Sequence, residues 1–165
     1  MARAKTAVPA GHHTVTPHLI LDNATRAIDW YKRALGAEEV TRTAGQDGKI
    51  MHAEIRIGDS LIMLNDEMGG AKSAKAIGGS PVSLWVYVND CDAVFNRAVA
   101  AGAKVPPGPM GQMTDQFWGD RAGSFIDPHG YHWTIATRKE DLAPQEIKQR
   151  MDEFMKHTAG QPAHQ

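Results

Sequence analysis

Residues 16–40 are TPHLILDNATRAIDWYKRALGAEEV, which is an apolar run, a polar turn and an amphipathic helix that stops at Gly36. The same order returns in residues 82–105, VSLWVYVNDCDAVFNRAVAAGAKV, where the helix stops at Gly102. A repeat of this kind indicates two copies of one supersecondary unit that bury their apolar faces together. The sequence therefore predicts an α+β fold with two related modules packed around one shared cavity.

Composition narrows the class of protein. The chain has 165 residues, 42% of them hydrophobic, with a formal net charge of −1 and a pI of about 6.7. This balance offers no basic surface for nucleic acid or acidic membranes, and the apolar runs are far shorter than a bilayer span. The opening residues MARAKTAVPAG lack the apolar core of a signal peptide, and the single Cys91 fits a reducing compartment. We expect a cytoplasmic protein without nucleic-acid or membrane partners.

The first module is predicted over residues 12–67. Residues 1–11 show no periodicity and predict a loose tail, and His12-His13 predict only the frayed start of the first strand, which alternates over residues 14–22. Asp22 or Asn23 can cap the helix that follows. The apolar stripe of this helix contains Ala27, Ile28, Tyr31, Ala34 and Leu35.

Three shorter runs complete this module, EEVTRTA, KIMHAEIRI and DSLIMLND, and Gly58-Asp59 predicts a tight hairpin turn between the last two. In the middle run apolar and polar residues alternate, which is typical of a strand with two different faces. Its apolar face contains Met51, Ala53, Ile55 and Ile57. Its polar face contains His52, Glu54 and Arg56.

The Gly-rich residues 68–79 predict a flexible linker, and the second module is predicted over residues 80–138. Its helix is expected to bury Ala93, Val94, Ala98 and Val99. The prolines that follow predict a loop leading to a short strand near Trp118, because proline cannot donate to a strand ladder. GSFIDPHGYHWTIAT then predicts a hairpin. Residues 141–158 predict a last helix, with an apolar face of Ile147, Met151 and Phe154.

The order of one strand, one helix and three strands, given twice, together with RAIDWYKRALG and FIDPHGYHWTIA, resembles the vicinal oxygen chelate superfamily. That superfamily includes glyoxalase I, extradiol dioxygenases and bleomycin- and fosfomycin-resistance proteins. The resemblance covers residues 14–138, and TPHLILD, MHAEIRIGDSLIMLND, DQFWGDRAG and IDPHGYHW resemble its PhnB-like branch of glyoxalase/bleomycin resistance-type proteins. It implies tandem βαβββ modules, each curling a mixed sheet into half a cup, and a homodimer. It does not fix the reaction, because members share a scaffold and differ in chemistry.

The resemblance also bears on cofactors. Enzymes of this superfamily hold a metal ion with four ligands inside the cup, and those positions fall in this sequence at Thr16, Met63, Ser83 and Thr134. Hydroxyl and thioether groups are poor ligands for Zn²⁺, Ni²⁺ or Fe²⁺. The resemblance therefore implies no metal cofactor, and neither the glyoxalase I reaction nor metal-dependent ring cleavage. A displaced divalent-metal site remains an alternative, built from His18, His52, Glu54 or His132.

The candidate site is the inner surface of the cup that the resemblance implies. If Thr16 points inward, period-two alternation adds the following ligand-binding candidates: His18, Asn65, Trp85, Tyr87 and His132. His52 and Glu54 are candidate acid–base groups on the same surface. The alternative for these two residues is the solvated face of an antiparallel sheet.

The segment DQFWGDRAG adds three ligand-binding candidates. Trp118 offers a ring for stacking, while Asp120 and Arg121 can clamp a polar ligand. The alternative is structural: an Asp120–Arg121 contact that pins the hairpin, with Trp118 filling the space beneath it.

Three functions follow from these candidates. The first is a metal-free cup, completed in a dimer, that binds a small aromatic or cationic molecule. The second is a metal-independent lyase or isomerase, with Glu54 or His52 as the acid–base group and Arg121 or Tyr87 holding an enolate-like oxygen. The third is a metalloenzyme with displaced ligands.

Overall fold

The computed structural model describes residues 3–159. The first half of the chain forms β1 (His18–Leu21), α1 (Ala24–Leu35), β2 (Glu38–Ala44), β3 (Ile50–Ile57) and β4 (Ser60–Asp66). The second half forms β5 (Ser83–Tyr87), α2 (Cys91–Ala100), β6 (Thr114–Asp115), β7 (Asp120–Ile126) and β8 (His132–Arg138), and is followed by α3 (Pro144–Ala159). This order confirms the predicted α+β fold of tandem βαβββ modules with a C-terminal helix.

Each module builds its own mixed sheet of four strands. The strand order is β1-β4-β3-β2 in the first sheet and β5-β8-β7-β6 in the second. In each sheet the strand before the helix pairs in parallel with the last strand, and the other pairs are antiparallel. The register places His18 beside Met63 and Trp85 beside Thr134, so equivalent positions of the two modules have equivalent neighbours.

The first strand is shorter than its alternating sequence predicts. β1 begins at His18, because Pro17 has no N–H to donate and the residues before it turn away. The Thr16 hydroxyl donates to the His13 carbonyl at 3.0 Å and closes this turn. Thr16 therefore lies before the strand.

The helices keep their predicted ends but partly change their buried faces. The Asn23 side chain caps α1, and Gly36 ends it in the left-handed conformation with φ of 69°. In α2 the buried residues are Cys91, Phe95 and Ala98. The expectation that Ala93 and Val99 are buried is wrong, because Phe95 packs against Phe125 and turns that face of the helix inward.

Strand β3 also departs from simple alternation. Its pairing with β2 shifts register, so that Thr43 lies opposite His52 but Ala44 lies opposite Ile50. This bulge leaves Met51 about half exposed and buries Ile50 in its place. Met51 is therefore not on the apolar face, whereas Ala53, Ile55 and Ile57 are buried as predicted.

The two modules share one apolar core, in which α1 packs on the first sheet, α2 packs on the second sheet and the two helices pack on each other. Trp30 of α1 contacts Phe125 of the second sheet with ring centroids 6.1 Å apart, and Tyr31 contacts Trp133 at 5.5 Å. The Trp30 indole also donates to the Ala101 carbonyl at 2.9 Å. Because one face of each sheet packs on the helices, the other face of each sheet points out of the shared core.

A buried carboxylate fixes the hairpin between β7 and β8 against the first module. Asp127 is 4% exposed and accepts hydrogen bonds from the Tyr31 hydroxyl and the Trp133 indole, both at 2.8 Å. Beside it, the Tyr131 hydroxyl donates to the Ile20 carbonyl at 2.8 Å and accepts from the Ile20 N–H at 3.0 Å. The predicted hairpin is therefore also the contact that joins the modules.

The predicted linker is packed rather than free. Within it Ser73 and Ala74 are buried, and the Ser73 hydroxyl donates to Glu67 at 2.7 Å. The last helix, α3, contacts the second module through Phe154, whose ring lies 5.7 Å from that of Phe117. Among the described residues, none of the helices has both the length and the apolar character needed to cross a membrane.

Candidate functional site

The outward face of the second sheet carries a group of aromatic side chains. Trp85 and Tyr87 alternate on β5, 42% and 60% exposed, with ring centroids 6.3 Å apart. Trp118, in the turn before β7, lies 6.2 Å from Trp85. Large rings this exposed are uncommon unless they form a contact surface.

Asp120 holds two of these rings in position. Its Oδ2 atom accepts hydrogen bonds from the Tyr87 hydroxyl at 2.8 Å and from the Trp118 indole at 3.1 Å. Burial, together with this bond to a carboxylate, raises the pKa of Tyr87, so the phenol stays protonated and donates. We name Trp85, Tyr87, Trp118 and Asp120 the aromatic face.

The carboxylate of Asp120 also has an unused acceptor. The residue is only 2% exposed, and its Oδ1 atom is buried without a hydrogen-bond partner in residues 3–159. A buried acceptor without a hydrogen bond is costly, so Oδ1 is available to one further donor. The aromatic face therefore combines π surfaces with a fixed negative charge.

Arg121 is not part of this face. It neighbours Asp120 on β7 and points to the opposite side of the sheet, where it donates to both oxygens of Asp92 at 2.7 Å and to Asp115 at 3.2 Å. These bonds raise the pKa of Arg121. The alternative of a structural Asp120–Arg121 contact is wrong, since each side chain is bound to other partners.

A cavity of about 590 Å³ lies beside Asp120, between the start of β7 and α3. Its lining is charged, and includes Asp115, Asp120, Arg121, Lys139, Glu140 and Arg150. Asp120 therefore has the rings of Tyr87 and Trp118 on one side and a polar cavity on the other.

The other outward positions of β7 and β8 are small or polar, except for Ile126 and for the cationic Arg138, which lies opposite Asp120 in the strand register and donates to Asp141. The Thr134 and Ser124 hydroxyls share a hydrogen bond of 2.8 Å, and Ala122 and Ala136 are buried on the neighbouring strands. His132 lies half-buried at the start of β8, opposite Ser83.

The outward face of the first sheet is polar. His18 on β1 hydrogen-bonds Asn65 on β4, and the Asn65 amide donates to the Asp66 carbonyl at 2.7 Å. On β3, His52 Nε2 lies 3.2 Å from Glu54 Oε1. The structure thus brings together four predicted site residues, which we name the polar face: His18, His52, Glu54 and Asn65.

His12 covers this polar face, which the sequence did not predict. Its Nε2 atom lies 3.3 Å from Glu54 Oε1, and its side chain is 9% exposed. Neither ring nitrogen makes a hydrogen bond within the described residues. His12 therefore lies against β3 and is not part of a frayed start of β1, whereas His13 is exposed, and only contacts distant in sequence reveal this difference.

The predicted site residues fall into two separate groups. Those of the polar face and those of the aromatic face lie on outward surfaces of different sheets, with both helices between them. Across residues 3–159, one chain therefore does not close these faces over a common cavity.

The residues at the superfamily's metal positions do not fit a metal ion. The Thr16 hydroxyl is bound to the His13 carbonyl, the Thr134 hydroxyl to Ser124, and Met63 offers only a thioether. In the part of the chain that the structure describes, no three His, Cys, Asp or Glu side chains are grouped to hold a metal. We derive no chemical step through a metal.

Comparison with known proteins identifies the family. The model of the Glyoxalase/Bleomycin resistance protein/Dioxygenase superfamily matches residues 11–135. The chain belongs to this superfamily. An uncharacterised protein of Mycobacterium tuberculosis (strain ATCC 25618 / H37Rv), Rv0887c, is 42% identical over 142 residues, which are 83% of this chain and 81% of the relative.

Several solved structures share the fold. TioX from Micromonospora sp. ML1 is 25% identical, with a TM-score of 0.60 over 79% of this chain and 100% of TioX. A PhnB protein from Bacillus cereus is 17% identical, with a TM-score of 0.60 over 76% of this chain and 99% of that protein. A bleomycin-binding protein in complex with bleomycin is 19% identical, with a TM-score of 0.52 over 78% of this chain and 99% of that protein.

Proposed function

We propose that this protein binds a small aromatic or cationic molecule, without a metal, on the aromatic face of its second sheet. The observation that carries the proposal is the exposure of Trp85 and Tyr87 above a buried carboxylate. Exposed rings supply stacking surface, and the negative charge of Asp120 adds attraction for a cation lying against them.

Pre-organisation of the rings strengthens this interpretation. Asp120 bonds both Tyr87 and Trp118, so these side chains are ordered before a ligand arrives. A ligand then does not need to bear the entropy cost of fixing them, and more of the contact energy remains as affinity.

The superfamily supplies further support. Its scaffold holds a ligand in at least one member, the bleomycin-binding protein complexed with bleomycin. We assign this chain to the PhnB-like branch on the motifs TPHLILD, MHAEIRIGDSLIMLND, DQFWGDRAG and IDPHGYHW. The likeness to the Bacillus cereus PhnB protein supports the fold of that branch alone.

We propose that the working form is a homodimer. Within one chain, the aromatic face is open to solvent and the polar face lies on the other sheet. A second copy can bring its polar face over the aromatic face and complete a cup, which gives a bound molecule walls on both sides.

Titration with matched planar probes tests the binding function. A set of planar cations, neutral aromatics of the same size and planar anions is titrated against chelator-treated protein, with thermal shift as the readout. We expect the cations to bind most tightly, and we expect Trp85→Leu to weaken their binding at least about tenfold. Val40→Ala, which trims another exposed apolar side chain on the first sheet, is the control and leaves binding unchanged.

The charge of Asp120 is tested separately. Asp120→Asn keeps an acceptor for Tyr87 and Trp118. It should weaken the binding of cations about threefold to thirtyfold and leave the binding of neutral aromatics unchanged. Asp59→Asn makes the same change of charge at the exposed hairpin of the first sheet and serves as control. Equal loss for cations and neutral probes would show that charge has no part in recognition.

A second candidate function rests on Glu54. Its carboxylate is 15% exposed and lies within 3.3 Å of two imidazoles, His12 and His52, which suits a general base in a metal-independent lyase or isomerase. Exchange of α-protons of small hydroxyketones and keto acids in D₂O reports such a base without knowledge of the substrate. Glu54→Gln should abolish protein-dependent exchange and Arg56→Gln should preserve it. Exchange that survives in Glu54→Gln removes this candidate.

A further inference from the structure

The segment before the first strand lies against the first sheet. His12 lies over Glu54 of β3, and a side chain added at Gly11 would meet Leu61 Cδ1 of β4 at 3.4 Å. Two local hydrogen bonds shape the segment: the His12 N–H donates to the Pro9 carbonyl at 3.1 Å, and Thr16 donates to His13. We name residues 9–16 the strap.

The contact between strap and sheet is poorly satisfied. His12 Nε2 is within ion-pair distance of Glu54, but it lacks the geometry of a hydrogen bond, and Nδ1 also has no partner in the described chain. Buried polar atoms normally find hydrogen bonds, because losing water without replacement is unfavourable. The strap therefore covers Glu54 without using the full bonding capacity of the carboxylate.

We propose that the strap is displaceable, and that Glu54 beneath it, with His52 beside Glu54, forms a second binding site for the planar cationic end of an organic ligand. An amidinium or guanidinium group has the size and flatness of the His12 ring, and can give a carboxylate two parallel hydrogen bonds where His12 gives none. His12 then fills the place of the ligand cation. The inference rests on contacts within one chain, and it holds whether or not the proposed dimer places this site across from the aromatic face.

Tethering explains how the strap regulates this site. A segment joined to the sheet by a short chain competes at an effective concentration on the order of millimolar, so it excludes weak ligands and yields to strong ones. Removing the His12 ring should therefore increase the affinity for a small cation rather than decrease it. A purely structural His12 predicts no such gain.

Binding of benzamidinium, with the isosteric neutral benzamide as the matched probe, tests the proposal. Dissociation constants are measured by ligand-observed NMR on the full chain carrying Trp85→Leu, so that the contribution of the aromatic face is reduced and equal in all the proteins compared. In that background His12→Ala and His12→Gln should bind benzamidinium about tenfold more tightly than the parent. His13→Ala, at the exposed neighbouring histidine, should match the parent.

The remaining variants test whether the gained affinity comes from Glu54 and requires the positive charge of the ligand. Glu54→Gln added to His12→Ala should remove the gained affinity, and benzamide should bind neither form. The proposal is overturned if both His12 variants bind no more tightly than His13→Ala, if benzamide gains equally, or if the gain survives Glu54→Gln. Failure here leaves the function of the aromatic face untouched, because Trp85→Leu weakens that face equally in every protein compared.

Discussion

Two tyrosine–aspartate hydrogen bonds of equal length have different roles in this protein. Tyr31 donates to Asp127 and Tyr87 donates to Asp120, each at 2.8 Å. Tyr31 is fully buried, and burial together with Asp127 raises its pKa well above the ordinary value. Tyr87 is 60% exposed. The first bond joins the modules, and the second orients a surface ring.

Removing the two hydroxyls should therefore have unequal effects on folding. Tyr31→Phe leaves part of a buried carboxylate without a donor and should lower the free energy of unfolding by about 1–3 kcal/mol. Tyr87→Phe should lower it by less than about 1 kcal/mol, because Tyr87 is exposed and water in the cavity that Asp120 lines can reach the carboxylate once the hydroxyl is gone. Urea denaturation of both variants measures the difference. Equal losses would contradict the role given to Asp127.

Acid should loosen the contact between modules through Asp22. Burial raises the pKa of this carboxyl, but hydrogen bonds from His129 and Lys75 outweigh it and hold the pKa below its ordinary value. A lowered folded-state pKa stabilises the protein above the unfolded value, and that stability is lost as pH falls through the folded pKa. When the pH is lowered below about 4, the urea concentration at the unfolding midpoint should decrease in the parent and decrease less in Asp22→Asn. Asp59→Asn should follow the parent, and a parent-like curve in Asp22→Asn would contradict this account.

At the scale of elements, locally encoded features are predictable from sequence. The caps and stops of α1 and the turn at Gly58 depend on neighbouring residues, and the structure has them where the sequence puts them. The inward turn of Phe95, the bulge that exposes Met51 and the burial of His12 depend on partners far along the chain. Periodicity cannot carry that information, since it describes one element at a time.

The equivalent N-terminal caps of α1 and α2 allow a prediction about these two helices. The Asn23 side chain accepts from the Arg26 N–H in α1, and the Asp90 side chain accepts from the Ala93 N–H in α2. Asn23→Ala and Asp90→Ala should each lower the free energy of unfolding by about 1 kcal/mol, because each removes one cap. Asp152→Ala, within the exposed last helix, is the control for loss of a polar side chain. A difference of several kcal/mol between the two caps would argue against equivalent modules.

At the scale of the whole molecule, the repeat predicts the architecture but not the relation between its faces. Trp85, Tyr87 and Glu54 lie on outward faces as their alternation suggests, yet on opposite sides of the paired helices. Which sheet faces which is decided by contacts such as Tyr31 with Trp133, which no single motif encodes. The sequence could therefore name most of the candidate residues without predicting that one chain leaves them apart.

Dimer formation is the prediction at this scale. Sedimentation velocity at micromolar concentration should give a species of about twice the 18.0 kDa of one chain. Trp85→Arg should shift this equilibrium toward one chain, because it adds a charge to a face that we expect a partner to cover. Ile77→Arg, at an exposed apolar side chain in the segment between the modules, is the matched change. A parent protein that sediments only as single chains would contradict the dimer.

The central claim is that a ligand binds on the aromatic face without a metal, and the indole N–H signals of ¹⁵N-labelled protein test it most directly. The chain has four tryptophans: Trp85 and Trp118 on that face, and Trp30 and Trp133 in the core. Titration of the tightest planar cation, with chelator present, should move the signals of Trp85 and Trp118 and leave those of Trp30 and Trp133 in place. Saturable binding that leaves Trp85 and Trp118 unmoved, or that disappears with the chelator, would contradict the account.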